Sequence, residues 1–208
     1  MKNYMGLLFG IIFTLHVTAQ SSMSLLFVGD VMGHDAQLQS AYNSEKNSYE
    51  FDSCFMYISP LFKQHDFTIA NLEVTLNCEP YSGYPAFSSP ASLAGALYRS
   101  GVNAMVTANN HSCDRGKKGI LRTIAALDSI GFKHTGVFKS EKQRELRNPM
   151  ILEKNGISVA VYNYTFGTNG IPIPQGTIVN LIDTVKIKKD LQRSKKLKVD
   201  KSIVFIHW

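Results

Sequence analysis

Residues 104–116, AMVTANNHSCDRG, carry the pattern that determines the fold. The run from Ala104 to Thr107 is short and mostly apolar, which is typical of a strand buried in a sheet. The polar residues 109–111 follow directly, and Gly116 to Ile130 then repeats apolar side chains at helical spacing. Because Gly131 readily ends a helix, the segment predicts a complete strand–loop–helix unit, the building block of a parallel sheet.

The same alternation extends outward along the chain. Further strands are predicted at residues 25–28, 67–70, 132–137, 150–153, 157–163 and 203–206. Further helices are predicted at residues 52–63, from Ser89 as N-cap and Pro90 as first residue to about Gly101, and from Asp183 as cap to about Arg193. Asn155-Gly156 indicates a hairpin turn. Strands that alternate with helices predict an α/β or layered sandwich fold with a largely parallel central sheet.

The composition agrees with one globular domain. The 208 residues are 44% hydrophobic and 18% charged, with 15 Gly and 7 Pro. These values exclude a disordered polymer, a collagen-like repeat and a small disulfide scaffold. The cysteines Cys54, Cys78 and Cys113 are odd in number and lack metal-type spacing, and the sequence does not determine which pair would oxidise outside the cytosol.

Four of the predicted strands end in side chains that bind metals or form hydrogen bonds. These are Asp30, Asn71 with Glu73, Asn110 with His111, and His207. Since the carboxyl ends of parallel strands lie along one edge of a sheet, we expect these groups to converge there. Carboxylate, amide and imidazole groups suit divalent metals. Each residue alone is also compatible with a turn, a helix cap or a surface position, so the metal interpretation rests on the joint pattern.

Several longer segments carry a resemblance to a known family. They are Gly29-Asp30-Val31-Met32-Gly33, Asn71-Leu72-Glu73, Tyr81-Ser82-Gly83-Tyr84-Pro85, the specific stretch from Ala108 to Gly116, and Ile206-His207-Trp208. In these segments the chain resembles the CapA family of poly-γ-glutamate capsule biosynthesis proteins, within the calcineurin-like metallophosphatase superfamily. The resemblance covers nearly all of residues 20–208. It implies a four-layer α/β/β/α sandwich with a metal site at the strand ends.

The resemblance also implies roles for the residues at the strand ends. The implied metal ligands are Asp30, Glu73, Asn110 and His207. His111 would be the catalytic histidine that donates a proton or stabilises charge, while Asn71 and Asp114 would orient the ligands. The implied cofactors are divalent metal ions, up to two of them, whose identity the sequence does not give.

Two departures from the family pattern concern this site. The superfamily has a histidine two residues after the first aspartate, where this chain has Met32, and His34 is a candidate to replace it. The final Gly-His-x-His motif of the superfamily is absent from this sequence, whose other histidines are His16, His34, His65, His111 and His134. We therefore expect the chain to be a C-terminally incomplete piece of a longer protein; the alternative is a degenerate copy.

The resemblance implies a function in capsule synthesis. The first hypothesis is a metal-dependent hydrolase or transferase in the biosynthesis or export of poly-γ-glutamate or another anionic envelope polymer. The second is a non-catalytic envelope component that assists polymer assembly or export, and the third is a metallophosphoesterase. The expected partners are an anionic polymer or phosphorylated substrate, together with membrane-associated capsule machinery.

Residues 1–19 have the pattern of a signal peptide. Lys2 precedes a mostly apolar run from Leu7 to Val17, and Val17-Thr18-Ala19 provides a small-residue cleavage site. The run is short for a bilayer span, so cleavage near Ala19 is favoured over an uncleaved anchor. We expect an exported bacterial protein of the periplasm or cell envelope, with residues 20–208 as one CapA-like metallophosphatase-type domain.

The net charge of +6 is concentrated near the end of the sequence. The basic residues of this stretch are Lys186, Lys188, Lys189, Arg193, Lys195, Lys196 and Lys198. The stretch is interpreted either as a solvated helix face and loop or as a surface for a polyanion. No aromatic residues are interleaved with it, so we expect no nucleic acid as a partner.

Overall fold

The computed structural model describes residues 21–208, in which short strands alternate with helices. The strands are β1 (Leu25–Val31), β2 (Tyr42–Asn43), β3 (Ser48–Tyr49), β4 (Phe67–Leu72), β5 (Thr75–Leu76), β6 (Ser88–Ser89), β7 (Ala104–Val106), β8 (Lys133–Thr135), β9 (Val137–Phe138), β10 (Met150–Lys154), β11 (Ile157–Thr165), β12 (Ile178–Val179) and β13 (Lys201–His207). The helices are α1 (Asp35–Ala41), α2 (Asp52–Phe55), α3 (Ser59–Phe62), α4 (Ala91–Ser100), α5 (Gly116–Ile130), α6 (Glu141–Arg147) and α7 (Thr184–Leu197). The predicted signal peptide lies outside the described residues. In the described range, no helix is both long enough and apolar enough to cross a membrane.

The first sheet is parallel and has the strand order β1-β4-β7-β8. Its register places Asp30 opposite Asn71, and Asn71 opposite Val106. The carboxyl ends of these strands therefore lie side by side at one edge. The predicted α/β fold with a largely parallel sheet is confirmed, while the four-layer order stays a prediction.

The second sheet has three strands in the order β10-β11-β13. The antiparallel pair β10 and β11 forms the predicted hairpin around Asn155-Gly156, where both residues have positive φ. Strand β13 runs parallel to β11 and pairs His207 with Thr165. This pairing fixes the position of His207 at the carboxyl end of β13.

Apolar clusters join the sheets and helices. One buried cluster combines side chains of both sheets, namely Ile69, Ala104, Val106, Met150, Leu152, Val159 and Val161. A second cluster packs the parallel sheet against α4 and α5 through residues that include Met105, Leu97 and Leu127. A third packs Ile187 and Leu191 of α7 against the second sheet. Both sheets are thus fixed relative to each other by a shared apolar interior.

Two predicted elements are divided in the structure. The helix predicted over residues 52–63 consists of two single-turn helices, α2 and α3. Pro60 has no N–H to donate to a preceding turn, so it is accommodated in the first turn of α3 instead. The strand predicted over residues 132–137 is divided into β8 and β9 at Gly136, which has a φ of 115°.

The ends of two helices also differ from the prediction. Ser89 is part of β6 and does not cap α4; instead, Oδ1 of Asn77 accepts the backbone N–H of Ala91 at 2.9 Å. Asp183 caps α7 as predicted, but the helix continues to Leu197. Helices α1 and α6 are additional seven-residue elements, whose short polar sequences give little helical periodicity.

Gly136 allows a close approach between β8–β9 and the second sheet. A Cβ at this position would lie 2.1 Å from Oδ1 of Asn163 and 2.5 Å from the backbone nitrogen of Ala108. Asn163 is fully buried in β11, and its Oδ1 accepts the backbone N–H groups of Ala108 (2.5 Å) and Thr107 (3.0 Å). A side chain at position 136 would therefore displace the amide that ties β11 to the loop after β7.

We expect Gly136→Ala to lower the free energy of unfolding by about 3 kcal/mol or more, because steric overlap and backbone strain add. Gly156→Ala is the matched control, since Gly156 also has a positive φ (78°) but no atom within 4 Å of where a Cβ would lie. The control should lose only about 1 kcal/mol. Urea denaturation measures both values. Equal losses would contradict the role assigned to the Asn163 contact.

Candidate metal centre

Three side chains from the two sheets converge at the carboxyl ends of their strands. Asp30 belongs to β1, Glu73 follows β4, and His207 ends β13. Each offers one ligand atom, and these atoms all lie within 4.8 Å of one another. The structure therefore brings together the three predicted ligands that are carboxylates or imidazoles, and we refer to them as the Asp30–Glu73–His207 group.

His207 lies between the two carboxylates. Its Nε2 is 3.6 Å from Oε1 of Glu73, and its Nδ1 is 3.8 Å from Oδ1 of Asp30. The side chain of Glu73 is only 7% exposed, whereas that of Asp30 is 48% exposed. The group is thus enclosed at Glu73 and open to solvent at Asp30.

Two asparagine amides fix the orientation of this group. Nδ2 of Asn71 donates to Oδ1 of Asp30 (2.7 Å) and contacts Nδ1 of His207 (3.2 Å). If Nδ1 accepts this bond, the ring proton of a neutral His207 is on Nε2, which then donates to Oδ1 of Asn110 at 2.6 Å. Asn110, the fourth predicted ligand, therefore places its amide oxygen directly beside a ligand nitrogen.

A further asparagine, Asn109, forms a hydrogen bond with the amide of Asn71. Asn109 is 1% exposed, and its Nδ2 donates to Oδ1 of Asn71 (3.1 Å) and to the backbone oxygen of Leu72 (2.7 Å). Its Oδ1 accepts the backbone N–H of His111 (3.1 Å). The sequence prediction gives Asn109 no role, because two consecutive asparagines follow the strand and only the turn geometry decides which one points inward.

His111 and Asp114 form a buried pair next to the loop that contains Phe87. Nδ1 of His111 lies 2.8 Å from Oδ2 of Asp114, and the same oxygen accepts the backbone N–H of Phe87 at 2.6 Å. The side chains of His111 and Asp114 are 8% and 1% exposed. Burial raises the pKa of Asp114 above its ordinary value, while the bonds from Phe87 and His111 oppose that rise. The pair fixes the ring of His111 in one orientation.

The predicted alternative ligand His34 lies outside the Asp30–Glu73–His207 group. It is exposed before α1, and its ring contacts the ring of Phe87 with centroids 4.9 Å apart. Phe87 also contacts His111, with centroids 4.7 Å apart, so both histidine rings pack against the same phenyl ring. Met32, at the position where the resemblance implies a histidine, packs against the apolar core.

The surroundings of Glu73 fit a bound cation. Burial, and then the negative charge of Asp30, raise the pKa of Glu73 to about 7. Its Oε2 is buried and has no hydrogen-bond partner among the described residues. A divalent ion would neutralise the carboxylates and satisfy this oxygen, and two carboxylates with an imidazole are suitable ligands. Burial also lowers the pKa of His207, which favours the neutral form that binds metals.

The parallel sheet, with carboxylates and an imidazole at the strand ends, defines an α/β protein with a candidate metal centre. A Staphylococcus aureus protein described as a putative 5'-nucleotidase in complex with alpha-ketoglutarate shares this fold, with a TM-score of 0.50 and 14% identity over 88% of this chain and 37% of that one. A hypothetical protein from Thermus thermophilus aligns with 89% of this chain and 57% of its own, with a TM-score of 0.49 and 17% identity.

The chain belongs to the family of bacterial capsule synthesis proteins PGA_cap, whose family model matches residues 24–208. The capsule biosynthesis protein CapA of Bacillus anthracis is 26% identical over 149 residues, which cover 69% of this chain and 34% of that protein. The chain thus spans about a third of the length of this curated relative. The CapA family membership inferred from the sequence motifs is confirmed.

The raised pKa of Glu73 predicts how the free energy of unfolding depends on pH when a chelator keeps metal ions away. Its pKa is about 7 in the folded chain against an ordinary value of 4.5, so the folded state keeps a proton that the unfolded state releases between these values. The free energy of unfolding should therefore fall as the pH rises through this window, by on the order of 3 kcal/mol at most.

Glu73→Gln should remove this decline. Glu153→Gln, which changes an exposed carboxylate of β10, should retain it. Urea denaturation at a series of pH values through the window from 4.5 to about 7 measures the slope for each protein. A decline of the same size in all three proteins would assign the pH dependence to other groups.

Proposed function

We propose that the chain acts in capsule synthesis as a metal-dependent hydrolase or transferase whose substrate is poly-γ-glutamate, another anionic envelope polymer, or its precursor. The observation that carries the proposal is the convergence of Asp30, Glu73 and His207 within ligand distance. Membership of the capsule synthesis family supports the polymer as the substrate class. Export to the cell envelope and contact with membrane-associated capsule machinery belong to the same proposal.

The residues that would hold a divalent ion are Asp30, Glu73 and His207, with Oδ1 of Asn110 as a further ligand. A second ion is compatible with the proposal. Bound there, a divalent ion supplies Lewis acidity toward a carbonyl or phosphoryl oxygen of the substrate. The exposure of Asp30 leaves an open side for a polymer chain to approach.

The protein groups around the ion would act by positioning and by proton transfer. Asn71 holds Asp30 and His207, and Asn109 holds Asn71, so the ligands need little rearrangement on binding. His111, oriented by Asp114, would donate a proton to the leaving group.

A non-catalytic role in polymer assembly or export is the second candidate. It is favoured by Met32, a core-packed side chain at the position where the superfamily has a ligand histidine. A metallophosphoesterase is the third candidate, supported by the fold likeness alone. Assays with poly-γ-glutamate and with a phosphodiester distinguish the first and third candidates.

Removing one ligand should greatly weaken metal binding. We expect the unmodified chain to bind a divalent ion in a calorimetric titration with Mn²⁺ or Zn²⁺, and Glu73→Gln or His207→Ala to weaken binding by more than about 100-fold, since even the loss of an outer partner costs 10–100-fold. Glu153→Gln is the control at an exposed carboxylate. A chain that binds no metal, or variants that bind as well as the control, would favour the non-catalytic role.

His111 should matter for turnover more than for metal affinity. His111→Ala is expected to lower kcat by about 100-fold or more, because positioned general acids contribute at least this factor. Asp114→Asn should lower kcat less, with a shift of the pH profile, since it changes the group that orients His111. His65→Ala, which precedes β4 at the opposite end of the strand, is the control. Unchanged turnover in His111→Ala would exclude it as the proton donor.

A further inference from the structure

A large cavity lies between α6, β12 and α7, apart from the Asp30–Glu73–His207 group. Its volume is about 720 Å³. Five basic side chains line it: Arg144, Lys186, Lys189, Arg193 and Lys196. We refer to this cavity as the α7 groove.

The acidic residues of the groove leave an excess of positive charge. Asp190 is buried and already bound, because its Oδ2 accepts hydrogen bonds from Arg144 (2.5 Å) and from the hydroxyl of Tyr164 (2.7 Å). Glu141 and Glu145 are the other acidic residues of the lining. In residues 21–208, no carboxylate oxygen lies within 4.0 Å of the charged nitrogens of the lysines or of Arg193 in the lining. Within residues 21–208, four cations without a carboxylate partner therefore face the carboxylates of Glu141 and Glu145, and Arg193 also donates to the backbone oxygen of Glu145.

These four cations form a row along one face of α7. Their numbers, 186, 189, 193 and 196, are separated by three or four residues, which returns to the same side of a helix. At a rise of 1.5 Å per residue, the row is about 15 Å long. Such a row matches an extended chain with repeated negative charges better than a single small anion.

The groove adjoins the strand that positions the metal group. Leu181 lines the groove and is bridged to Thr165 of β11, which is in register with His207 on β13. On one side of β11, the backbone N–H of Thr165 donates to the carbonyl of residue 180, and its carbonyl accepts from the N–H of residue 182. On the other side, the N–H of the next residue, Phe166, donates to the carbonyl of His207. Leu181 and His207 thus flank β11, with backbones about 10 Å apart, two strand spacings.

We propose that the α7 groove is a binding site for an acidic polymer with repeated carboxylates and directs this polymer toward the Asp30–Glu73–His207 group. The proposal rests on the proposed function and adds the surface that holds the substrate. Nucleic acid is the competing polyanion. Tyr164, the aromatic residue of the lining, is 1% exposed and donates to Asp190, so it offers no face on which bases stack.

The test is the affinity of the full 208-residue chain for fluorescently labelled polyglutamate, measured by anisotropy at low ionic strength. Lys189→Gln with Lys196→Gln should weaken binding about tenfold, the combined effect of two surface charges. Lys188→Gln with Lys195→Gln removes the same charge from the same helix outside the groove lining, and should weaken binding less than about twofold. Thermal unfolding checks that both variants fold.

Three outcomes would overturn the proposal: no binding by the unmodified chain, equal weakening in the two pairs, or tighter binding of an oligodeoxynucleotide with the same dependence on Lys189 and Lys196. Glu73→Gln separates the two proposals, because it should lose the metal and still bind polyglutamate. If the lysine pairs behave alike while Glu73→Gln loses the metal, only the groove is wrong. If the groove pair alone weakens binding and no metal binds, only the proposed chemistry is wrong.

Discussion

The amide of Asn71 is the contact on which the candidate centre depends. It is fully buried in β4, donates to Asp30 of β1 and contacts His207 of β13, and its oxygen accepts from Asn109 after β7. Four chain segments that are far apart in sequence therefore meet at one side chain. Because each of these amide atoms is buried, loss of any partner leaves an unsatisfied polar group, and the geometry of the site is coupled to the integrity of both sheets.

Glu73 adds an electrostatic constraint to this arrangement. Its buried carboxylate lies against Asp30, and one of its oxygens has no hydrogen-bond partner within the described chain. The fold therefore holds a carboxylate whose negative charge is unfavourable until a cation binds beside it. Groups that reduce local stability in this way are common at functional sites. The α7 groove carries the opposite charge, since none of its lysines has a carboxylate partner among residues 21–208.

The local patterns along the chain predicted much of this architecture. The apolar runs before Asp30, Asn71 and His207 are strands, the segment from Gly116 to Ile130 is a helix, and Asn155-Gly156 is a hairpin turn. The prediction from local sequence was wrong where a segment distant in sequence forms the backbone hydrogen bonds or supplies the cap. Ser89 has the sequence of a helix cap but pairs with β5, and Asn77 supplies the cap from a separate loop.

Sequence alone determined the class of fold, the family and the set of residues at the strand ends, because apolar periodicity and short motifs are local properties. Tertiary structure decided how those residues meet. It placed His207 between Asp30 and Glu73 and put the amide oxygen of Asn110 within hydrogen-bond distance of His207. It also made Asn109 the amide that bonds to Asn71, and left His34 exposed beside Phe87. These outcomes depend on strand register and on the packing of one sheet against the other, which no local pattern encodes.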